Sequence, residues 1–134
     1  MRVADIMQTA VRTVTSDTPV SEVVVSLADA QVTGLPVVDA RARVVGVVSS
    51  TDLIAAQAET RSAAERDLLL DNTPVRDIMT PKPLVIESTA EVREAARHML
   101  YAEVRRLFVE DDGALVGVIS HTDIVRAVAT GKIT

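Results

Sequence analysis

The sequence predicts an α/β fold of the α+β type, built from two pseudo-symmetric repeats, each strand-helix-strand-strand-helix, packed through their sheets. The first observation behind this is an internal repeat: Val3-Ala4-Asp5-Ile6-Met7 returns as Val75-Arg76-Asp77-Ile78-Met79, an offset of 72. The offset holds without a gap through Ser16, Val20, Glu22, Val32, Leu35, Val37 and Asp39, which meet Ser88, Val92, Glu94, Val104, Leu107, Val109 and Asp111. One residue then drops out, and Val45 to Leu53 lies over Val116 to Ile124. The second observation is that the apolar period changes in the same order in both copies. The third is a core material of Val, Ala and Leu, with 48% hydrophobic but only 1% aromatic residues. Two like units about a pseudo-dyad follow, with any site near their junction present twice. Each is too small to bury enough apolar surface alone, so a shared core is expected in this chain of 134 residues.

Val11 to Val14, and Leu84 to Ile86, read as short strands. Helix starts follow at Thr18 before Pro19, and at Ser88 with Glu91 three residues on, a capping-box pattern. Val20, Val23, Val24 and Leu27 share one helix face, as do Val92, Ala95, Ala96 and Met99, at the spacing of an amphipathic helix. Two strands come next, Leu35 to Val38 and Val44 to Ser49, then Leu107 to Glu110 and Leu115 to Ser120, with Asp112-Gly113 as a tight turn. A second helix opens at Thr51 or Asp52, and again at Thr122 or Asp123. Ala58 to Asn72 carries helix formers without Gly or Pro, so it extends that helix or forms its own, stopping before Pro74. The organisation is repeat 1 at 1–57, helical linker at 58–72 and repeat 2 at 73–134, with Thr130 to Thr134 expected to fray.

A net charge of −5 and only Tyr101 and Phe108 for base stacking argue against nucleic acid as a partner. No apolar run approaches the roughly 18 residues of a membrane span, and Asp5 close behind Arg2 leaves no signal-peptide core, so the cytoplasm is the expected location. Zero cysteines remove disulfides and thiolate chemistry. Two histidines, His98 and His121, make a poor zinc site, and none is expected. A Gly-rich phosphate loop, a nucleophile elbow and a His-Glu-x-x-His pattern are all absent from the sequence. The expectation is a protein that is no enzyme.

Asp-Ile-Met at each start, Leu35-Pro36-Val37-Val38-Asp39 with Leu107-Phe108-Val109-Glu110-Asp111, and Gly46-Val47-Val48-Ser49-Ser50-Thr51-Asp52 with Gly117-Val118-Ile119-Ser120-His121-Thr122-Asp123 recur in one order and spacing. Over nearly the whole chain this resembles a pair of cystathionine-β-synthase (CBS) motifs, the tandem called a Bateman module. The resemblance implies a regulatory module whose clefts bind adenosyl ligands such as AMP, ADP, ATP or S-adenosylmethionine, with NAD a further candidate and Mg²⁺ accompanying ATP. No cofactor is required. It also implies a homodimer of modules.

Ser49 and Ser120 stand at a strand end, and three residues on Asp52 and Asp123 can offer a carboxylate to the two hydroxyls of a ribose. The helix amino terminus behind them offers free N–H groups to phosphate. Gly46 and Gly117, just upstream, permit close approach of backbone or ligand. The alternative is that Ser and Asp here only cap a helix, as these residue types do whatever the helix is for. With the resemblance, ribose binding is preferred for at least one copy. The resemblance further implies ligand contacts from Thr51, Thr122, Val14, Ile86 and Val37. Arg105, Arg106 and His121 replace Thr33, Gly34 and Ser50, and the resemblance implies that these cations, present in one repeat only, reach the phosphates of a nucleotide. Their alternative is a solvated pair of arginines beside the acidic Glu110-Asp111-Asp112 run. Two departures from the family pattern stand out: Phe108 lies opposite Pro36, and Gln8 stands where a Thr is expected to follow Met.

The preferred function is a stand-alone ligand sensor that binds an adenosyl compound and signals occupancy to an unidentified effector protein. The alternative is a structural or dimerisation module with empty clefts, in which Ser49, Asp52, Ser120 and Asp123 are caps.

Overall fold

Every residue of Gly34–Val38 is buried, and a strand apolar on both faces has to be flanked and covered by the rest of its unit. In the computed structural model, which describes residues 1–81 and 83–131, this strand (β2) lies between β1 (Val14–Thr15), parallel to it, and β3 (Val44–Ser49), antiparallel. The parallel step is made through α1 (Val20–Ala30), whose Val20, Val23 and Leu27 are buried. α2 (Ser50–Ala58) continues directly from β3, and α3 (Ala63–Asn72) is a separate helix. Its start is set by Ser62, whose hydroxyl accepts from the Glu65 N–H at 3.1 Å. A fourth strand, β4 (Thr80–Pro81), closes the sheet order β1-β2-β3-β4.

The second copy repeats this plan with β5 (Val85–Ile86), α4 (Val92–Ala102), β6 (Arg106–Asp111), β7 (Ala114–Ser120) and α5 (His121–Ala129). β5 is parallel to β6, and β6 is antiparallel to β7. Asp112 and Gly113 both have positive φ, 51° and 78°, as the two-residue hairpin requires. The strand, helix, strand, strand, helix order expected from the sequence is therefore present twice, as a mixed α/β fold with two sheets and five α-helices among the described residues.

Residue packing groups the chain differently from the repeat. One compact unit is Arg12–Pro83; the other joins Met1–Val11 to the chain from Leu84 onward. They are called here the Asp52 unit and the Asp123 unit. Each repeat thus gives its leading segment to the unit built on the other repeat's sheet. Val3 opens a 3-10 turn, Val3–Asp5, whose backbone donates from Val3 to the Ala90 carbonyl at 2.8 Å and from Ala4 to the Ser88 carbonyl at 2.9 Å. Val75 opens the matching turn, Val75–Asp77, and donates to the Thr18 carbonyl at 2.8 Å, while Arg76 donates to that of Ser16 at 3.2 Å. Val3 and Val75 are both 0% exposed. Val3 sits with Ala95, Met99, Leu107, Val109 and Ile119 in one core, Val75 with Val14, Val23, Leu35, Val37 and Val48 in the other. Full burial of a Val contributes about 1.5–3 kcal/mol, which adds to the backbone hydrogen bonds and to the packing of Ile6 and Met7, or Ile78 and Met79, in fastening each leading segment.

Several helix starts differ from expectation. Glu91, not Ser88, is the residue before α4, and it makes no side-chain cap. Ser88 is buried and its N–H and hydroxyl both donate to the Asp111 carboxylate, so it is unavailable to the helix. In the first copy the hydroxyl of Thr18 accepts from the Thr15 N–H at 3.1 Å, and Pro19 precedes α1 without capping it. The short strands begin later than expected, at Val14 and Val85, and Val24 is exposed while Val20, Val23 and Leu27 are not. Thr130 donates its N–H to the Arg126 carbonyl at the end of α5; residues 132–134, where fraying was expected, lie outside the described residues.

Ser88 holds the Asp111 carboxyl below its ordinary 3.8, chiefly through the hydroxyl and next through the N–H, against a smaller opposing effect of desolvation. A carboxylate whose pKa is depressed by folding adds stability above its ordinary pKa and loses it as the pH falls through the lower folded value. Ser88→Ala removes the hydroxyl donor and leaves the backbone one. The Asp111 carboxyl, followed by carbon NMR through an acid titration, is expected to titrate higher in Ser88→Ala than in wild type; an unchanged midpoint would contradict the assignment.

Candidate functional site

β3 and β7 each end on a serine that also begins a helix. The Ser49 hydroxyl accepts from the Asp52 N–H at 3.2 Å, and Asp52 Oδ2 accepts in return from the Ser49 N–H at 2.9 Å and its hydroxyl at 3.1 Å. Ser120 and Asp123 repeat this with 3.2, 2.9 and 3.0 Å. These are complete capping boxes, so α2 and α5 begin at Ser50 and His121, one residue or two before the sequence suggested. The capping role is real in both copies. It uses one carboxylate oxygen and leaves the other, Oδ1, directed elsewhere.

That second oxygen is met by the residue following each Met. Thr80 donates its hydroxyl to Asp52 Oδ1 at 3.3 Å, and Gln8 donates Nε2 to Asp123 Oδ1 at 3.0 Å. The leading segments reach these places because they add to the sheet edge. Thr80 in β4 is the register partner of Val47, and Gln8 exchanges backbone hydrogen bonds of 2.8 and 2.9 Å with Val118. What approaches the strand glycines is this segment. A Cβ on Gly46 would lie 2.4 Å from Met79 Sδ and 3.0 Å from the Thr80 carbonyl oxygen. On Gly117 it would lie 2.7 Å from the Gln8 carbonyl oxygen and 2.8 Å from Met7 Sδ. The choice left open by the sequence, backbone or ligand, falls to backbone and a Met side chain.

The two junctions are not equal. Asp123 is 5% exposed, whereas Asp52 is half-buried. Arg126 adds a guanidinium nitrogen 3.6 Å from Asp123 Oδ1, and Ala55 holds the matching place in α2. Asp123 lines a cavity of about 230 Å³ with Asp5, Ile6, Met7, Arg126, Ala127 and Thr130. The basic residues gather at the Asp123 junction. Arg106 is the register partner of Ser120, and the His121 N–H donates to the Arg105 carbonyl at 2.9 Å. Arg105 and His121 are exposed and Arg106 is half-buried. In the Asp52 unit Gly34 pairs with Ser49 and the Ser50 N–H donates to the Thr33 carbonyl at 2.9 Å, the same geometry without the cations.

Thr51 and Thr122 occupy the second position of their helices, exposed beside each junction. Within their own units, Val14 and Val37 lie apart from the Ser49–Asp52 junction, and Ile86 from the Ser120–Asp123 junction. Val14 and Val37 are register partners buried in the core, at the end of β2 away from Ser49, and Ile86 is buried at the wall of an open cleft with Glu87, Glu94, His98, Glu110 and Asp112. Phe108 is buried in β6 opposite Val118. Among the described residues there is no group of three or more metal-ligating side chains, and no helix long and apolar enough to cross a membrane. Met7, Met79 and Thr80 were missed as site residues, and Gln8 was noticed only as a departure. The signal for them was the pairing of an unexplained strand glycine with a repeated Met.

The family model for the CBS domain matches residues 3–59 and 75–130, and the chain belongs to that family as a tandem pair. It is 36% identical over 131 residues to the chloroplastic CBS domain-containing protein CBSX2 of Arabidopsis thaliana, a match covering 82% of this chain and 55% of the relative. The chain thus spans about half the length of the curated plant relatives it matches. The crystal structure of CBSX2 in complex with AMP has a TM-score of 0.83 at 36% identity, over 98% of both chains. The CBS domain pair of protein MJ0100, solved with 5′-methylthioadenosine and S-adenosyl-L-methionine, has a TM-score of 0.79 at 25% identity, over 99% of this chain and 98% of that one.

Gly117→Ala is expected to destabilise the fold by about 1–3 kcal/mol in urea unfolding, and Gly46→Ala by a similar or smaller amount. In a double-mutant cycle Gly46→Ala should cost little on a Met79→Ala background, because the tightest contact there is a flexible side chain. Met7→Ala should recover little for Gly117→Ala, since the Gln8 carbonyl remains 2.7 Å away. Equal rescue of both would show that the backbone approach is not the constraint.

Proposed function

We propose that this chain is a regulatory, ligand-sensing module that binds an adenosyl compound at the Ser49–Asp52 and Ser120–Asp123 junctions and passes its occupancy to a partner protein. The observation that carries the reading is the duplicated carboxylate, capped through one oxygen and presenting the other beside a helix amino terminus. A ribose offers two adjacent hydroxyl donors, which suit such an oxygen. The positive end of the helix suits the phosphate of AMP, ADP or ATP. AMP bound to CBSX2, and the methylthioadenosine and S-adenosylmethionine bound to MJ0100, support the adenosyl class. Nothing in the reading requires a cofactor, and Mg²⁺ would enter only with ATP. Arg105, Arg106 and His121 are assigned to the phosphates at the Asp123 junction, with Thr122 beside that junction and Thr51 beside the Asp52 junction.

A second reading has its own support. Both oxygens of Asp52 and of Asp123 already have protein partners, so the junctions are satisfied without a ligand. In that case the module serves association alone.

Calorimetry with AMP, ATP and S-adenosylmethionine separates the two. Asp52→Asn with Asp123→Asn keeps the side-chain shape and removes the charge, and is expected to weaken AMP by about tenfold or more, the value of a hydrogen bond to a charged group. Arg105→Ala, Arg106→Ala and His121→Ala are expected to weaken ATP more than AMP, with the difference shrinking at high salt. Absence of binding by any of the three ligands below millimolar concentration would give the association reading precedence.

The module is further proposed to work as a homodimer in the cytoplasm. Ile54 in α2 and Val125 in α5 hold the same place in the repeat and are 69% and 65% exposed, with Val128 and Val25 also exposed. Apolar side chains repeated on two helices fit a self-complementary interface. Light scattering is expected to give twice the 14.3 kDa of one chain at tens of micromolar, and half that value after Ile54→Glu with Val125→Glu. A monomer in wild type would contradict it.

A further inference from the structure

We propose that Gln8 is a latch on the Asp123 junction, setting the order in which the two junctions fill; this rests on the ribose reading of Asp52 and Asp123. A ribose hydroxyl needs the carboxylate oxygen that the capping box leaves over. At Asp123 that oxygen accepts from Gln8 Nε2 at 3.0 Å, has Arg126 3.6 Å away, and belongs to a side chain only 5% exposed. At Asp52 it accepts from the Thr80 hydroxyl at 3.3 Å, with an alanine where Arg126 would stand. The two donors differ in chemistry. A threonine hydroxyl both donates and accepts, so it can turn and accept from an arriving ribose. The amide nitrogen of Gln8 only donates and holds one acceptor site of that oxygen, and to accept from a ribose the whole amide has to give up this bond and turn its Oε1 inward, a larger rearrangement than the turn of a hydroxyl.

Gln8 is well placed for this role because its backbone is fixed independently of its side chain. Its N–H and carbonyl are both paired with Val118, and its carbonyl lies over Gly117. Changing the side chain therefore alters the competition at Asp123 Oδ1 while the sheet edge stays paired. The Asp52 junction fills first. The Asp123 junction, flanked by Arg105, Arg106 and His121, fills only when ligand is concentrated enough, or charged enough, to displace the amide.

The test is AMP calorimetry on the full chain as wild type, Gln8→Thr, Gln8→Ala and the reciprocal Thr80→Gln. Asp52→Asn and Asp123→Asn are titrated singly to assign each binding step, and together. Gln8→Thr and Gln8→Ala are expected to tighten the Asp123 step about tenfold, or to make it appear where wild type shows one step, leaving the Asp52 step unchanged. Thr80→Gln is expected to weaken the Asp52 step by a similar factor. A merely structural Gln8 would give the opposite sign, looser binding with a lower melting temperature. If Asp52→Asn with Asp123→Asn abolishes AMP binding yet both Gln8 variants bind as wild type does, the latch is wrong and the ribose reading stands. If the double variant binds AMP undiminished, or no variant binds it, the ribose reading falls and the latch with it.

Discussion

The close passage of each leading segment over a glycine in a neighbouring strand is the constraint on which both junctions depend. Met79 lies against Gly46 and Met7 against Gly117, near enough that a single methyl group would displace them. That approach brings Thr80 and Gln8 to the aspartates, and Val75 and Val3 into the two cores. Because the segment that begins one repeat completes the unit built on the other, neither repeat as written in the sequence contains its whole junction. A change in Asp-Ile-Met of the first repeat is therefore felt at Asp123, and one in the second at Asp52.

Under the proposed reading, the Ser and Asp of each junction carry two tasks with one set of atoms. Capping satisfies an orphan helix N–H and contributes about 1 kcal/mol, enough to account for these residue types without a ligand. Recognition uses the remaining oxygen. The two tasks are compatible because a carboxylate has more acceptor sites than a capping box consumes. On that reading occupancy would be sensed without melting the helix, through the bond to Thr80 or Gln8.

Much of the fold was readable from residues because the repeat supplied each pattern twice. The order of strands and helices and the Asp112-Gly113 turn follow from period and turn chemistry, whereas the sequence left open whether 58–72 extends α2 or makes a helix of its own. Helix starts at Thr18 and Ser88 were misread for a common reason. A hydroxyl near a helix start caps it only when no nearer partner claims it, and Thr15 and Asp111 do. Ser49 with Asp52, and Ser120 with Asp123, come together as their spacing requires, and the backbones of Arg105, Arg106, Ser120 and His121 lie alongside because β6 and β7 pair at that end. Met7, Gln8, Met79 and Thr80 lie far along the chain from the glycines and aspartates they touch. Local pattern carries no information on such contacts, and only the missing side chain of a strand glycine hinted at them.

A crystal structure grown with AMP tests the central claim most directly. The account predicts AMP at the Asp52 junction, with ribose hydroxyls within hydrogen-bonding distance of Asp52 Oδ1, the Ser49–Asp52 capping box intact and the Thr80 hydroxyl turned toward the sugar. AMP seated elsewhere with both aspartates holding only their protein partners, or no AMP at either junction at saturating concentration, would contradict it.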